Sequence, residues 1–220
     1  MTVEPIAWFR SPVRGKFGVP RQSGLATALR GEVRFVAPYD AAEAVRGLEG
    51  FDYCWLIWGF SLNHPDGGAL TVRPPRLGGN ERVGVFASRS PFRPNGLGLS
   101  CVRLERVEPG VLYVSGADLA DGTPVYDVKP YVRYADSRPD AASGFVDTCE
   151  WEPLEVVVPP EVTETIGKKD SEALAQLLAL DPRPRYQDDP ERVYGLSFGA
   201  YDVKFRVSGC KVFVLSAEKL

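Results

Sequence analysis

Residues 83–108 read VGVFASRSPFRPNGLGLSCVRLERVE, two apolar, strand-like runs around a stiff polar centre. In that centre, from Arg89 to Ser100, two arginines, two prolines and an asparagine fall within seven positions, and two glycines within the next three. Proline fixes the backbone and removes a donor, while glycine lets the backbone come close to a ligand. Arginine presents a rigid fork of donors suited to an anionic or planar group. From these residues alone two readings stand open: a ligand-facing loop, or a Pro-rich turn with solvated arginines.

Outward from this stretch the chain is mostly strand. VGVFA reads as the strand entering the motif, and GLSCVRLERVE alternates as the strand leaving it. Pro109-Gly110 turns into VLYVSGADL, and Asp121-Gly122 into TPVYDVKPYV. Upstream, FDYCWLIWGF is aromatic and branched without alternation, which predicts a strand buried on both faces. Residues 3–9 and 31–37 predict strands around a basic Gly/Pro loop, and Asp40 is placed to cap a short helix through AAEAVRGL. The connection LNHPDGGALTVRPPRLGGNER is far longer than most loops, a mark of function. Closely spaced strands and turns predict a mainly β fold with a barrel-like core over residues 1–150. The pattern then changes. LEVVVP predicts a strand, SEALAQLLAL a helix capped by Asp170 or Ser171, and the tail a hairpin, together a small α+β C-terminal lobe over 151–220.

Composition narrows the function. In 220 residues, 44% hydrophobic and 11% aromatic, there is ample material for a packed core. The N-terminus has no charged start followed by a long apolar run, and FDYCWLIWGFSL is too short to span a bilayer, so a soluble cytoplasmic protein is expected. Cys54, Cys101, Cys149 and Cys210 form no C-x-x-C pair and His64 is the sole histidine, so no metal site is expected. Three of the thiols sit in or beside apolar runs and are expected reduced and buried, with His64 a loop residue.

The formal net charge is −3, yet residues 10–21 carry a local +4 and residues 73–106 a local +5. Such asymmetry can build a basic face for a phosphate backbone, or be neutralised by acids that are near only in space. Gly96-Leu97-Gly98 lies between strands, and there is no strand–GxGxxG–helix, Walker loop or G-x-S-x-G. An orthodox Rossmann cofactor site is therefore not expected. The residues by themselves support a β domain that binds a small ligand or nucleic acid, and no specific reaction.

PRQSGL, GLEGFDYCWLIW, PPRLGGNERVGVFASRSPFRPNGLGLS, DLADGTPVYDVKPYV and DPRPRY, in that order, strongly resemble the TsaA/TrmO-like family. The resemblance covers nearly the whole chain. It implies a β-barrel methyltransferase, homodimeric, that uses S-adenosyl-L-methionine to methylate N6-threonylcarbamoyladenosine at position 37 of the tRNA anticodon loop. Carried onto this chain, it implies a cofactor site made by Pro20, Arg21 and Gln22, by Ser61 and Leu62, by Arg89 and Leu99, and by Asp118, Leu119, Asp121 and Gly122. At Ser61-Leu62-Asn63 the chain departs from relatives that carry a larger polar pair. Carboxylates suit ribose hydroxyls or an α-ammonium, and an arginine suits a methionyl carboxylate. Under this reading Asp127 or Tyr126 accepts or relays the proton lost from the methylated nitrogen. Arg93, Asn95, Lys129 and Tyr131 face the RNA bases, while Arg73, Arg76 and Arg82 face phosphate. Two alternatives stand beside it: a non-catalytic β-barrel module that binds a small anionic ligand or RNA, and a hydrolase or transferase acting on free nucleotides.

Overall fold

The structure is a computed structural model that describes residues 2–63, 70–74, 81–149, 151–183 and 189–220. His64, Arg76 and the Pro184-Arg185-Tyr186 end of DPRPRY lie outside the described residues.

Six antiparallel strands close the expected barrel. They are β1 (Ala7–Arg10), β2 (Arg30–Phe35), β3 (Tyr53–Gly59), β6 (Leu97–Glu108), β7 (Val111–Ser115) and β8 (Pro124–Pro130), in the spatial order β1-β2-β7-β6-β3-β8. The seam is short: β1 meets β8 through Ala7↔Val125 and Trp8↔Pro124. Inside, Phe9, Val33, Cys54, Leu56, Trp58, Val102, Leu112, Val114 and Val125 alternate inward along their strands and fill the lumen. Burial pushes the Cys54 thiol up to about 12, with neighbouring Cys101 adding to the shift, so it packs as an inert side chain.

Several local expectations change. FDYCWLIWGF is not buried on both faces: Cys54, Leu56 and Trp58 point inward, while Trp55 and Ile57 are half-buried and Tyr53 is 39% exposed on the outer face. A barrel wall has only one dry side, and aromatic residues on its wet side hide the alternation. In VGVFA only Val83–Gly84 pairs (β5), with Thr71–Val72 (β4), before a 3-10 turn at Val85–Ala87. Asp40 caps no α-helix; Ala42–Val45 and Leu48–Gly50 are 3-10 turns, the second entered through Gly47 at φ 88°. Asp121-Gly122 is not a hairpin turn either, since β7 pairs with β2 and β6 whereas β8 pairs with β1 and β3. Among the cysteines only Cys54 is buried; Cys101 and Cys149 are half-buried, Cys210 is exposed, and all four are free.

A short helix α1 (Arg133–Asp136) follows the barrel. Then come β9 (Glu155–Val157), α2 (Pro160–Ile166), α3 (Lys168–Ala179), β10 (Tyr194–Phe198), β11 (Tyr201–Ser208) and β12 (Lys211–Lys219). The last strands form a sheet in the order β10-β11-β12-β9, with β9 parallel to β12. α3 begins earlier than its apolar pattern suggests, and Gly167 rather than Asp170 or Ser171 bounds it. Ser171 is buried, its hydroxyl 3.0 Å from that of Thr163, and so ties α3 to α2.

The loop from Ser11 to Leu29 belongs to both halves. Val13, Ala26 and Leu29 are buried in the same apolar cluster as Leu174, Leu177, Leu178, Phe198 and Val203. Val13 bridges Phe198, Gly199 N–H donates to the Pro12 carbonyl (2.7 Å), and Ala28 N–H donates to Gln176 Oε1 (2.8 Å). Phe198 is 1% exposed at this junction. Phe198→Ala is therefore expected to cost about 3–5 kcal/mol. A urea midpoint shift worth under about 1 kcal/mol would show that the junction does not hold the lobe.

Candidate functional site

Gln22, Arg89, Leu99 and Asp118, all picked out by sequence, gather at one rim of the barrel, where β6 begins. Two glycines bring the walls together: Gly24 N–H donates to the Gly116 carbonyl (2.8 Å), and Gly116 N–H to that of Leu29 (2.9 Å). Gly116 has φ +73°, a left-handed conformation that strains any L side chain, and Gly24 Cα would meet its Cβ at ordinary contact distance, 3.5 Å. The contact seats the PRQ loop beside the segment that carries Asp118.

The two arginines of the signature divide their work. Arg89 Nη1 donates across the rim to Gln22 Oε1 at 2.6 Å, joining the central motif to the PRQ loop. Arg93 Nη1 donates to the Ser88 carbonyl (3.1 Å) within its own loop, which the Gly96 N–H to Arg93 carbonyl bond (3.1 Å) tightens further. Arg89 thus ties the signature loop to the PRQ loop, and Arg93 braces its own loop. Asn95 is exposed at the loop tip, and Leu99 stands 57% exposed on the outer face of β6.

Behind Arg89 lies a polar chain inside an apolar wall. Trp58 Nε1–H donates to Ser100 Oγ (2.8 Å), and the Ser100 hydroxyl donates to Asp118 Oδ1. Ser100 has no exposed surface. Burial pushes the Asp118 carboxyl above the ordinary carboxylate range; the Ser100 hydroxyl, backbone N–H donors including that of Ser23, and the Arg89 charge pull the other way. Ser23, Trp58 and Ser100 were not singled out from sequence. The register, which sets Trp58 opposite Gly98 and Leu56 opposite Ser100, brings Trp58 to Ser100, and the Gly24–Gly116 contact brings Ser23 beside them.

The other expected residues are spread more widely, and not all of them join this centre. Pro20 is buried and Arg21 Nη2 donates to the Asp181 carbonyl at 3.2 Å, so this arm of the PRQ segment is held by the C-terminal lobe. Ser61 Oγ sits 3.4 Å from Thr123 Oγ1, and Leu62 is 41% exposed. Next to them Asn63 Oδ1 is buried with no partner among the described residues. Leu119 is in the barrel core, so only its main chain is open to a ligand. Asp121 turns away from Asp118: it accepts from Ser11 N–H (3.1 Å), lies 3.8 Å from Arg10, and lines a separate cleft of about 400 Å³ with Arg30, Glu32, Glu105 and Tyr113. Gly122 has φ +76° and gives its N–H to the Phe9 carbonyl (2.8 Å).

On β8 the pairing with β3 slips between Ile57↔Asp127 and Trp58↔Val125, leaving Tyr126 as the extra residue of a bulge. Tyr126 folds over Gly59, its hydroxyl 2.7 Å from the place of a Cβ there. Asp127 takes the N–H of Val128 (2.9 Å) and pairs with Lys129 (2.9 Å). Tyr131 lies 6.1 Å from the rings of both Tyr53 and Trp55, and Trp55 Nε1–H reaches Asp136 (3.1 Å). Arg73 is exposed after β4, and Arg82 donates to Thr71 (2.9 Å) before β5. Among the described residues no group of three or more His, Cys, Asp or Glu is arranged to hold a metal, and no helix is long and apolar enough to cross a membrane.

Comparison with known proteins fits this geometry. Residues 8–137 match the tRNA-methyltransferase O N-terminal domain and residues 152–220 the TrmO C-terminal domain. The chain belongs to the TrmO family. It is 41% identical over 226 residues to the tRNA (adenine(37)-N6)-methyltransferase of Escherichia coli, covering 96% of each chain. It is 45% identical over 209 residues to a putative S-adenosylmethionine-dependent methyltransferase of Pseudomonas aeruginosa, covering 92% of this chain and 90% of that one. A crystal structure of TrmO from Pseudomonas aeruginosa superposes with TM-score 0.82 at 35% identity, covering 99% of this chain and 98% of that one. The barrel of this TrmO-family chain depends on Gly98, where a Cβ would enter the Trp58 indole. Gly98→Ala is expected to cost about 1–3 kcal/mol by overpacking and to change tryptophan fluorescence; unchanged stability would mean that Trp58 is not fixed against β6.

Proposed function

We propose that this chain is an S-adenosylmethionine-dependent tRNA methyltransferase that methylates N6 of N6-threonylcarbamoyladenosine at position 37 of the anticodon loop. The observation that carries the reading is the Arg89–Gln22 contact beside Asp118 at the barrel rim. A guanidinium and a part-buried carboxylate at one place fit the methionyl end of the cofactor, which carries a carboxylate and an ammonium. Ser61, Leu62 and the exposed Leu99 extend the wall, and Leu119 adds its main chain. Asp121 and Gly122 hold the turn that presents Asp118, with the Asp121 carboxylate engaged on the β1 side.

When bound, S-adenosylmethionine supplies a methyl group on a sulfonium. The residues of this chain align acceptor and donor, and alignment can carry a large part of the barrier. Asp127, paired opposite Ile57, or Tyr126, left unpaired by the bulge, accepts or relays the proton that the acceptor nitrogen must lose. Lys129, Tyr131, Tyr53 and Trp55 form an aromatic surface with an adjacent cation, which suits unstacked anticodon-loop bases. Arg93 and Asn95, on the loop before β6, meet the RNA separately from that surface, and Arg73, Arg76 and Arg82 meet phosphate. The protein works in the cytoplasm as a homodimer of chains divided into units at 1–150 and 151–220. Exposed Phe86 (78%), Leu97 (43%) and Leu99 support a covered apolar surface near the rim.

Labelled methyl transfer onto tRNA with and without the threonylcarbamoyl group tests the reading. Transfer to the modified tRNA alone is expected. Cofactor binding without transfer would instead favour a non-catalytic binding module. Within that assay, Arg89→Ala should weaken cofactor affinity by about 10- to 100-fold. Asp127→Asn should lower kcat and leave that affinity within about twofold. An unchanged dissociation constant in Arg89→Ala would remove Arg89 from the cofactor site.

A further inference from the structure

Every neighbour that acts on the Asp118 carboxylate through a hydrogen bond is a donor. Tryptophan Nε1–H can only donate, so Ser100 Oγ must accept from Trp58 and its one proton is left for Asp118. The indole thereby fixes a hydroxyl that would otherwise rotate. Trp58 is itself clamped, 4.5 Å from the Phe60 ring and with its indole against Gly98. From the PRQ loop, Ser23 adds a backbone N–H, and from the signature loop Arg89 adds positive charge. Trp58, Ser100 and Ser23 are neutral; Arg89 is the charged side chain that acts on Asp118. Four elements therefore converge to favour an anion, and burial alone opposes it.

We propose that Trp58 and Ser100 are positioning residues that present the Asp118 carboxylate to a cationic group of the cofactor, so that cofactor binding expels a proton from Asp118. This rests on reading the rim as a cofactor site and adds a mechanism of recognition. In the free protein, burial pushes the Asp118 carboxyl up, so its neutral form persists to higher pH than that of an exposed carboxyl. A cationic ligand binds the carboxylate form, so the proton leaves to solvent and binding strengthens as pH rises. Arg89 stays charged throughout, and so contributes no slope.

The test is the dissociation constant of S-adenosylmethionine between about pH 4 and 7, a range below the titration of an α-amino group, followed by calorimetry in buffers of different ionisation enthalpy. Below the midpoint of Asp118 the wild-type affinity should rise by up to about tenfold per pH unit and then level off. Ser100→Ala removes a donor that favours the anion, so its levelling point moves to higher pH. Affinity should fall by about five- to tenfold on the acid side and by under about twofold on the plateau. Trp58→Phe keeps a ring in the wall but frees the Ser100 hydroxyl, and should shift the profile the same way by less. Asp118→Asn should abolish both the slope and the proton release. Loss of affinity by the same factor at every pH in Ser100→Ala, or a wild-type profile without proton release, overturns the proposal while leaving the cofactor site in place. Absence of any cofactor binding by the wild type would overturn the site itself.

Discussion

Closure of the barrel is the constraint on which the site depends. The seam between β1 and β8 is only two residue pairs long, yet it decides what faces what at the rim. Because β8 closes onto β1, its other edge lies along β3, and Tyr126 and Asp127 come to stand beside Gly59 and Ile57. Because β6 lies on the far side of β3, Leu99 and Ser100 share the same end. An open sheet of the same strands would lose the convergence of four chain segments that lie nearly a hundred residues apart in sequence, from Gln22 to Asp118.

Polar groups also run from the rim into the apolar wall. A tryptophan N–H, a serine hydroxyl and a carboxyl inside an apolar wall would each cost desolvation if left alone. Satisfied in series they become a rigid unit. The two arginines of the central motif show the same economy of geometry: one guanidinium holds the loop in shape, and the other is left to reach across to Gln22.

Much of this was legible in the chain. The alternation of Leu97–Glu108 announces an amphipathic wall strand, and the stiff RSPFRPNGLGLS loop marks the rim. What stayed hidden was relational. FDYCWLIWGF looks like a doubly buried strand because Tyr53 and Trp55, on its open face, are as apolar in composition as the residues that line the lumen. Ser100 looks like one more small strand residue until register puts Trp58 and Asp118 on either side of its hydroxyl. The bulge at Tyr126 has no local signal, since it arises where β8 pairs with β3. Asp121, next to Asp118 in the same motif, faces the opposite side of the wall, which no motif could reveal.

The loop from Ser11 to Leu29 gives its apolar side chains to the C-terminal cluster and its polar end to the rim. It is thus a single mechanical part with two owners. The two cores cannot melt one after the other without tearing it from one of them, so their unfolding is coupled through a segment that is neither strand nor helix. A ligand that grips Gln22 and Ser23 would then be felt as added stability in a lobe that it never touches.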